Sequence, residues 1–167
     1  MNAPGTSPKA AALLSRSTIV ISTIGLFLAI YFYIDNAKNG VYAATFTLVG
    51  LVGIVSFLRH SVFYRSDQVR MGWHQDRPEF QIEVGFANLA LGIAAIIAVS
   101  LNFGMVACGM CLLIFGLYLA CACGLHTREL IKSKDLKKNP AKIIITAYLA
   151  AVLLAFAVLA LMKAGAI

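Results

Sequence analysis

Apolar residues fall in five long runs separated by short polar breaks: Thr18–Ile34, Val41–Leu58, Val84–Leu101, Met105–Cys123 and Ile143–Met162. Each holds about 17 to 20 residues, enough to cross a hydrocarbon core of roughly 30 Å at 1.5 Å per residue. Lipid offers no hydrogen-bond partner to a backbone amide, so runs of this length are expected to be helices. With the start signals in the breaks included, spans are predicted at about 18–34, 41–58, 80–101, 105–123 and 141–162. The fold class is therefore all-α, an integral membrane bundle of about five transmembrane helices in one domain over residues 18–167. Residues 1–17 carry Pro4, Gly5, Pro8, Lys9 and Arg16 and read as a mobile cytoplasmic tail.

The breaks carry their own signals. Asp35-Asn36-Ala37-Lys38-Asn39-Gly40 is turn-rich, and Asn102-Phe103-Gly104 allows only a tight reversal. Asp76, three residues before Glu79 and with Pro78 between them, fits a capping box at the start of the third span. Asn139-Pro140 supplies a cap and a first-turn proline for the fifth. The stretch Arg59–Trp73 is expected to continue the second helix and then lie along the membrane surface. Its arginines would face water, with Val62, Phe63, Val69 and Trp73 toward lipid. Tyr31, Phe32, Tyr33 and Tyr42 at one end, and Phe63, Tyr64, Trp73 and Phe80 at the other, occupy aromatic-belt positions.

Composition sharpens this picture. Apolar residues make up 60% of the chain, mean hydropathy is +0.85, and charged residues are 13% against about a quarter in soluble domains. The net charge of +7 does not indicate nucleic acid, because the basic residues sit between apolar runs rather than in a stripe with interleaved aromatics. They fix orientation instead. If every run crosses, one side receives twelve of the 14 Lys and Arg, from the N-terminal segment and the 59–77 and 128–142 loops. The other receives Lys38 and Lys163. The positive-inside bias places the N-terminus in the cytoplasm and the C-terminus outside, in a cytoplasmic (inner) membrane. The first run is long for a signal-peptide core, and Asp35-Asn36-Ala37 is a poor cleavage site, so it reads as a retained helix. The four cysteines lie together in one apolar run, which excludes a secreted disulfide framework.

The stretch from His60 to Gly92 contains His-Ser-Val-Phe, then Met-Gly-Trp, then Phe-Gln-Ile-Glu-Val-Gly-Phe-Ala-Asn-Leu-Ala-Leu-Gly. It resembles an uncharacterised family of small prokaryotic polytopic membrane proteins, a domain of unknown function. That family's signature is His-x-x-Phe, Gly-Trp, then Phe-Gln-x-Glu-x-Gly-x-x-Asn-Leu opening a transmembrane helix. Gly124-Leu125-His126 is similar to its Gly-His segment. The resemblance covers residues 60–142 and implies an architecture and a set of site residues, with no activity attached.

Two constellations carry candidate chemistry. On the third helix, Gln81, Gly85, Asn88 and Gly92 fall on one face at about 100° per residue. Its glycines invite close approach of a neighbour, and the buried amide needs a partner. For Asn88, helix packing is favoured over ligand binding. Glu83 points elsewhere, near the hydrocarbon edge. It reads either as a dipole-favoured carboxylate paired with Arg59 or Arg77, or as a proton carrier or ligand. His60 and His126 end the second and fourth spans at the same boundary. With Trp73 as a lid, His60, Gln81, Glu83, Asn88 and His126 would form a polar pocket for a quinone or lipid head group. Interfacial snorkelling is the bland alternative for each histidine. Metal-ligand spacing is absent, so no metal is assigned and the cofactor is open. The second constellation is Cys108-Gly109-Met110-Cys111, whose C-x-x-C spacing fits a quinone-linked thiol oxidoreductase. Cysteine is also an ordinary small residue in lipid-buried helices.

Three functions follow from these features. The first is a ligand-binding or accessory subunit, acting with other membrane subunits or as a homo-oligomer. The second is the thiol enzyme. The third is an oligomeric transporter or channel component, suggested by the glycine-rich third and fourth helices.

Overall fold

The computed structural model describes residues 7–71, 77–133 and 140–167. The described residues form six helices: α1 (Pro8–Asp35), α2 (Ala37–Val62), the short α3 (Tyr64–Met71), α4 (Glu79–Ser100), α5 (Gly104–Ser133) and α6 (Pro140–Lys163). No strand occurs among the described residues. Five of the helices, α3 excepted, are long and apolar enough to cross a membrane.

The helix ends follow local chemistry and correct several expectations. α1 begins at Pro8 rather than Thr18. Ser7 caps it by accepting from the Ala10 amide at 3.3 Å, Pro8 sits in the first turn, and the alanines that follow are strong helix formers. α5 continues past Cys123 to Ser133, because no glycine-proline stop interrupts Leu125–Ile131. At about 45 Å it outreaches the hydrocarbon core. α4 starts at Glu79 with Pro78 as its cap residue and no side-chain cap, so Glu79 is at the first position and not the third of a capping box. Asp76 and Asn139 lie outside the described residues, whereas Pro140 does open α6. Asn36 separates α1 from α2 in an extended conformation, its side chain accepting from the amides of Lys38 and Asn39.

α2 is not a uniform helix. It widens into π-turns over Thr45–Leu51 and Leu58–Val62. Thr45 and Thr47 return their hydroxyls to the carbonyls of Val41 and Ala43 at 2.8 and 2.6 Å, a pairing that bends helices. At the second π-turn the Phe63 amide reaches five residues back to Leu58.

Two seams of small residues hold the bundle. Along α2 and α4, Gly50 and Gly53 meet Gly92 with backbone against backbone. A methyl group on Gly92 would lie 2.9 Å from the Gly50 carbonyl oxygen and 3.2 Å from the Ile54 nitrogen. Further along, Ser61 abuts Gly85 and donates to the Ile82 carbonyl at 2.8 Å. Along α5 and α6, Gly109, Gly116 and Cys123 recur every seven residues and meet Ala160, Leu153–Leu154 and Ile143 in antiparallel order. Such small-residue seams replace the hydrophobic driving force that lipid removes. Between the seams lies a core that includes Leu48, Val49, Leu112, Phe115 and Leu153. α1 turns Leu13, Val20, Ile24, Phe27, Tyr31 and Ile34 outward, an apolar stripe suited to lipid.

Hydrogen bonds tie each end of the bundle. At one end the Tyr42 hydroxyl donates to Asn102 Oδ1 at 2.6 Å and accepts from the Gly104 amide at 3.2 Å. Asn102 and Gly104 both have positive φ there, as the tight reversal demands. Tyr42 thus locks the turn instead of standing in a lipid belt, and Tyr33 packs edge-on against Phe156. At the other end the Ser7 amide donates to Ser66 Oγ on α3 at 2.9 Å. This second end carries the loops rich in Lys and Arg and is called the basic end below.

Candidate ligand site at the basic end of the bundle

The segment expected to lie flat with its arginines in water does something else. Asp67, in the middle of α3, is only 1% exposed, and it draws basic side chains inward. Arg70, one turn on, donates from Nε and Nη2 to Asp67 Oδ1 at 3.0 and 2.6 Å. Arg59 Nε lies 3.7 Å and His60 Nδ1 3.4 Å from the second oxygen, Oδ2. Both come from the π-turn of α2. Val62, Phe63, Val69 and Arg65 do face outward, as expected of a surface helix, but Arg59 and Arg70 turn in.

Geometry also fixes the state of His60. Arg59 Nη2 sits 2.6 Å from His60 Nε2, and a guanidinium has no acceptor to offer. Nε2 must therefore accept, which leaves the ring proton on Nδ1, the nitrogen turned to Asp67 Oδ2. Arg59, His60 and Asp67 form a chain, anchored at its far end by Arg70.

This cluster meets the α2–α4 seam. Ser61 follows His60 directly and seats on Gly85. One turn nearer the basic end on the same α4 face is Gln81, 6% exposed, whose amide nitrogen and oxygen have no hydrogen-bond partner among the described residues. About 10 Å deeper along α4, the Asn88 amide nitrogen donates to the Val84 carbonyl at 2.7 Å and to the Tyr118 hydroxyl at 3.3 Å. Tyr118 lies within electrostatic reach of Arg59. Polar groups of α2 and α3 thus meet around Asp67, and those of α4 and α5 meet at Asn88 and Tyr118. Asn88 has the interhelical partner that its depth requires.

Of the residues read from the sequence, His60, Gln81 and Asn88 are turned into the bundle here, and Gly85 and Gly92 lie on the buried face as expected. Glu83 is not part of it. It is exposed on the outer face of α4, and Arg59 pairs with Asp67 instead. His126 lies about 12 Å beyond Tyr118 along α5 and pairs with Glu129 one turn away at 3.4 Å. Trp73 falls outside the described residues. Sequence reasoning missed Asp67, Arg70 and Tyr118 and gave Arg59 the wrong partner. The available signal was Asp67 itself, a lone acid among Arg59, Arg65 and Arg70, one turn before the last and two turns after His60.

Among the described residues no group of three His, Cys, Asp or Glu side chains is arranged to hold a metal. Cys108 is fully buried in the core beside Thr45, Cys111 is half-buried, and both are free thiols. That setting is the one expected of packing residues.

Five apolar spans held by small-residue seams define a multi-pass helical membrane protein. Residues 12–166 match the model of a family of unknown function, DUF6790, and the chain belongs to that family. Neither the curated proteins nor the solved structures contain a match to it.

Proposed function

We propose that this protein is a small-ligand-binding or accessory subunit of a cytoplasmic membrane, its site being the Arg59–His60–Asp67–Arg70 cluster together with Gln81. The observation that carries this reading is the Gln81 amide. Both of its polar atoms are buried, one turn from the Gly85–Ser61 contact that adjoins His60, without a hydrogen bond among the described residues. A buried polar group left unsatisfied costs roughly 1–3 kcal/mol, so a position used only for packing would favour an apolar side chain. Asn88, on the same face, is satisfied within the bundle and reads as structural. The excess of Lys and Arg at the basic end supports a cytoplasmic location for that end and for the site.

Native mass spectrometry of the full chain, purified in mild detergent, tests the proposal. A co-purifying small molecule is expected in the unmodified protein and is lost on Gln81→Leu while the melting temperature holds. Absence of any retained molecule, or equal retention by the variant, would remove the basis for the site.

A further inference from the structure

Resting on that reading, we infer that the ligand is an amphiphile whose phosphoester head group enters the site at the membrane boundary, its oxyanion meeting Arg59 and a hydroxyl meeting Gln81. Charge balance is the first argument. Arg59 and Arg70 bring two fixed positive charges, and Asp67 returns one negative charge. Among the described residues, the charged groups in electrostatic reach of Arg59 are Asp67 and Arg70. Among the described residues, these three side chains therefore carry one surplus positive charge, close to the hydrocarbon, where uncompensated charge is expensive.

Donor geometry is the second argument. Arg70 satisfies Asp67 Oδ1, whereas Arg59 Nε makes no hydrogen bond among the described residues and stands 3.7 Å from Oδ2. A guanidinium in that position suits an oxyanion, which accepts shorter, charge-assisted bonds. Gln81 offers both a donor and an acceptor. Its oxygen calls for a hydroxyl on the ligand, which a glycerol phosphate supplies and a quinone does not.

Depth and access are the third. Gln81 lies about 3 Å from the start of α4, at the head-group level of a helix that spans the membrane. The segment between His60 and Asp67 borders an open groove of about 430 Å³, lined by Val62, Phe63, Tyr64, Arg65 and Ser66. Val62 and Phe63 offer apolar surface there to acyl chains, and Arg65 is exposed at the same place.

The test titrates the full chain in neutral detergent with phosphatidylglycerol, phosphatidylcholine, diacylglycerol, ubiquinone or glycerol 3-phosphate, read by native mass spectrometry. Phosphatidylglycerol should be retained about tenfold more than phosphatidylcholine, whose phosphodiester also reaches Arg59 but whose choline adds a compensating positive charge and offers Gln81 no hydroxyl. Arg59→Gln and Gln81→Leu should each abolish that preference, and Arg59→Lys should restore part of it. Binding of glycerol 3-phosphate without lipid retention would support the same phosphoester chemistry from a soluble source. A preference unchanged by Arg59→Gln would mean surface adsorption and would overturn the inference. Retention of diacylglycerol or ubiquinone that depends on Gln81 but not on Arg59 would also overturn it, leaving the binding site standing. If no added molecule is retained, both the inference and the proposed function fail.

Discussion

Asp67→Asn is the most informative single change in this protein. It preserves side-chain volume and removes the negative charge shared by Arg59, His60 and Arg70. At about 4 Å and an effective dielectric of about 20, a guanidinium–carboxylate attraction is worth about 4 kcal/mol before desolvation is charged against it. Measured losses on breaking buried pairs are roughly 3–5 kcal/mol, whereas solvated pairs contribute about 0–1 kcal/mol. The Arg70 side chain is 23% exposed and can turn to water after the substitution. Arg59, 15% exposed and bonded to His60, has less freedom. These facts place the expected loss near the lower end, about 3 kcal/mol.

For a chain of this size that corresponds to a fall in melting temperature of roughly 6–12 °C. Unfolding in mild detergent can be followed with a thiol-reactive dye in a Cys111→Ser/Cys121→Ser/Cys123→Ser background, where the remaining thiol, Cys108, is fully buried until the bundle opens. The double variant Asp67→Asn/Arg59→Gln should recover at least half of the loss, since the remaining guanidinium, Arg70, can reach water. A shift within about 2 °C for Asp67→Asn would show that the carboxylate is solvated and the cluster energetically idle. Strict additivity in the double variant would refute the coupling between the two residues.

Two further outcomes follow from the seams and the threading. Gly92→Ala sets a methyl group against backbone atoms that cannot step aside and should cost about 1–3 kcal/mol, whereas Gly124→Ala, inside α5 with nothing within 4 Å, should hold the melting temperature or raise it slightly; equal effects would disprove the close α2–α4 contact. In a cysteine-free background, a membrane-impermeant maleimide should label Phe103→Cys in intact cells and Arg65→Cys only after permeabilisation. Labelling of both from one side would break the alternate threading.

The spans were legible because their physics is one-dimensional. Each needs only enough consecutive apolar residues, and the exclusion of unpaired backbone from lipid does the rest. The buried face of α4 was legible for a related reason: Gln81, Gly85, Asn88 and Gly92 repeat at helical spacing, and small or polar residues in an apolar helix turn inward. The charge cluster was hidden because its partners follow no such period. Arg59 and His60 are adjacent in sequence and reach the same carboxylate through a π-turn, which a regular helical wheel does not anticipate. α3 is short and strongly polar, and the inward turn of Asp67 depends on tertiary contacts from α1 and α2. Glu83 misled for the opposite reason. Its position in the chain suggested a functional acid, yet at the helix start an outward carboxylate reaches the interface at little cost.

The seams and the cluster are linked by rigidity. Backbone-to-backbone contact from Gly50–Gly92 to Ser61–Gly85 leaves α2 and α4 little room to slide, so Gln81 cannot move along α2 in search of a partner. Arg70 holds Asp67 from within α3, and the Ser7 amide holds α3 through Ser66. Arg59 and Gln81 are therefore presented on elements fixed independently of any ligand. A group bound between them would lose its own freedom while ordering little of the protein, which is how a few polar contacts reach useful affinity. The same rigidity explains why a buried amide with no partner among the described residues is held in place. Repacking it would mean parting the small-residue seam that holds α2 against α4.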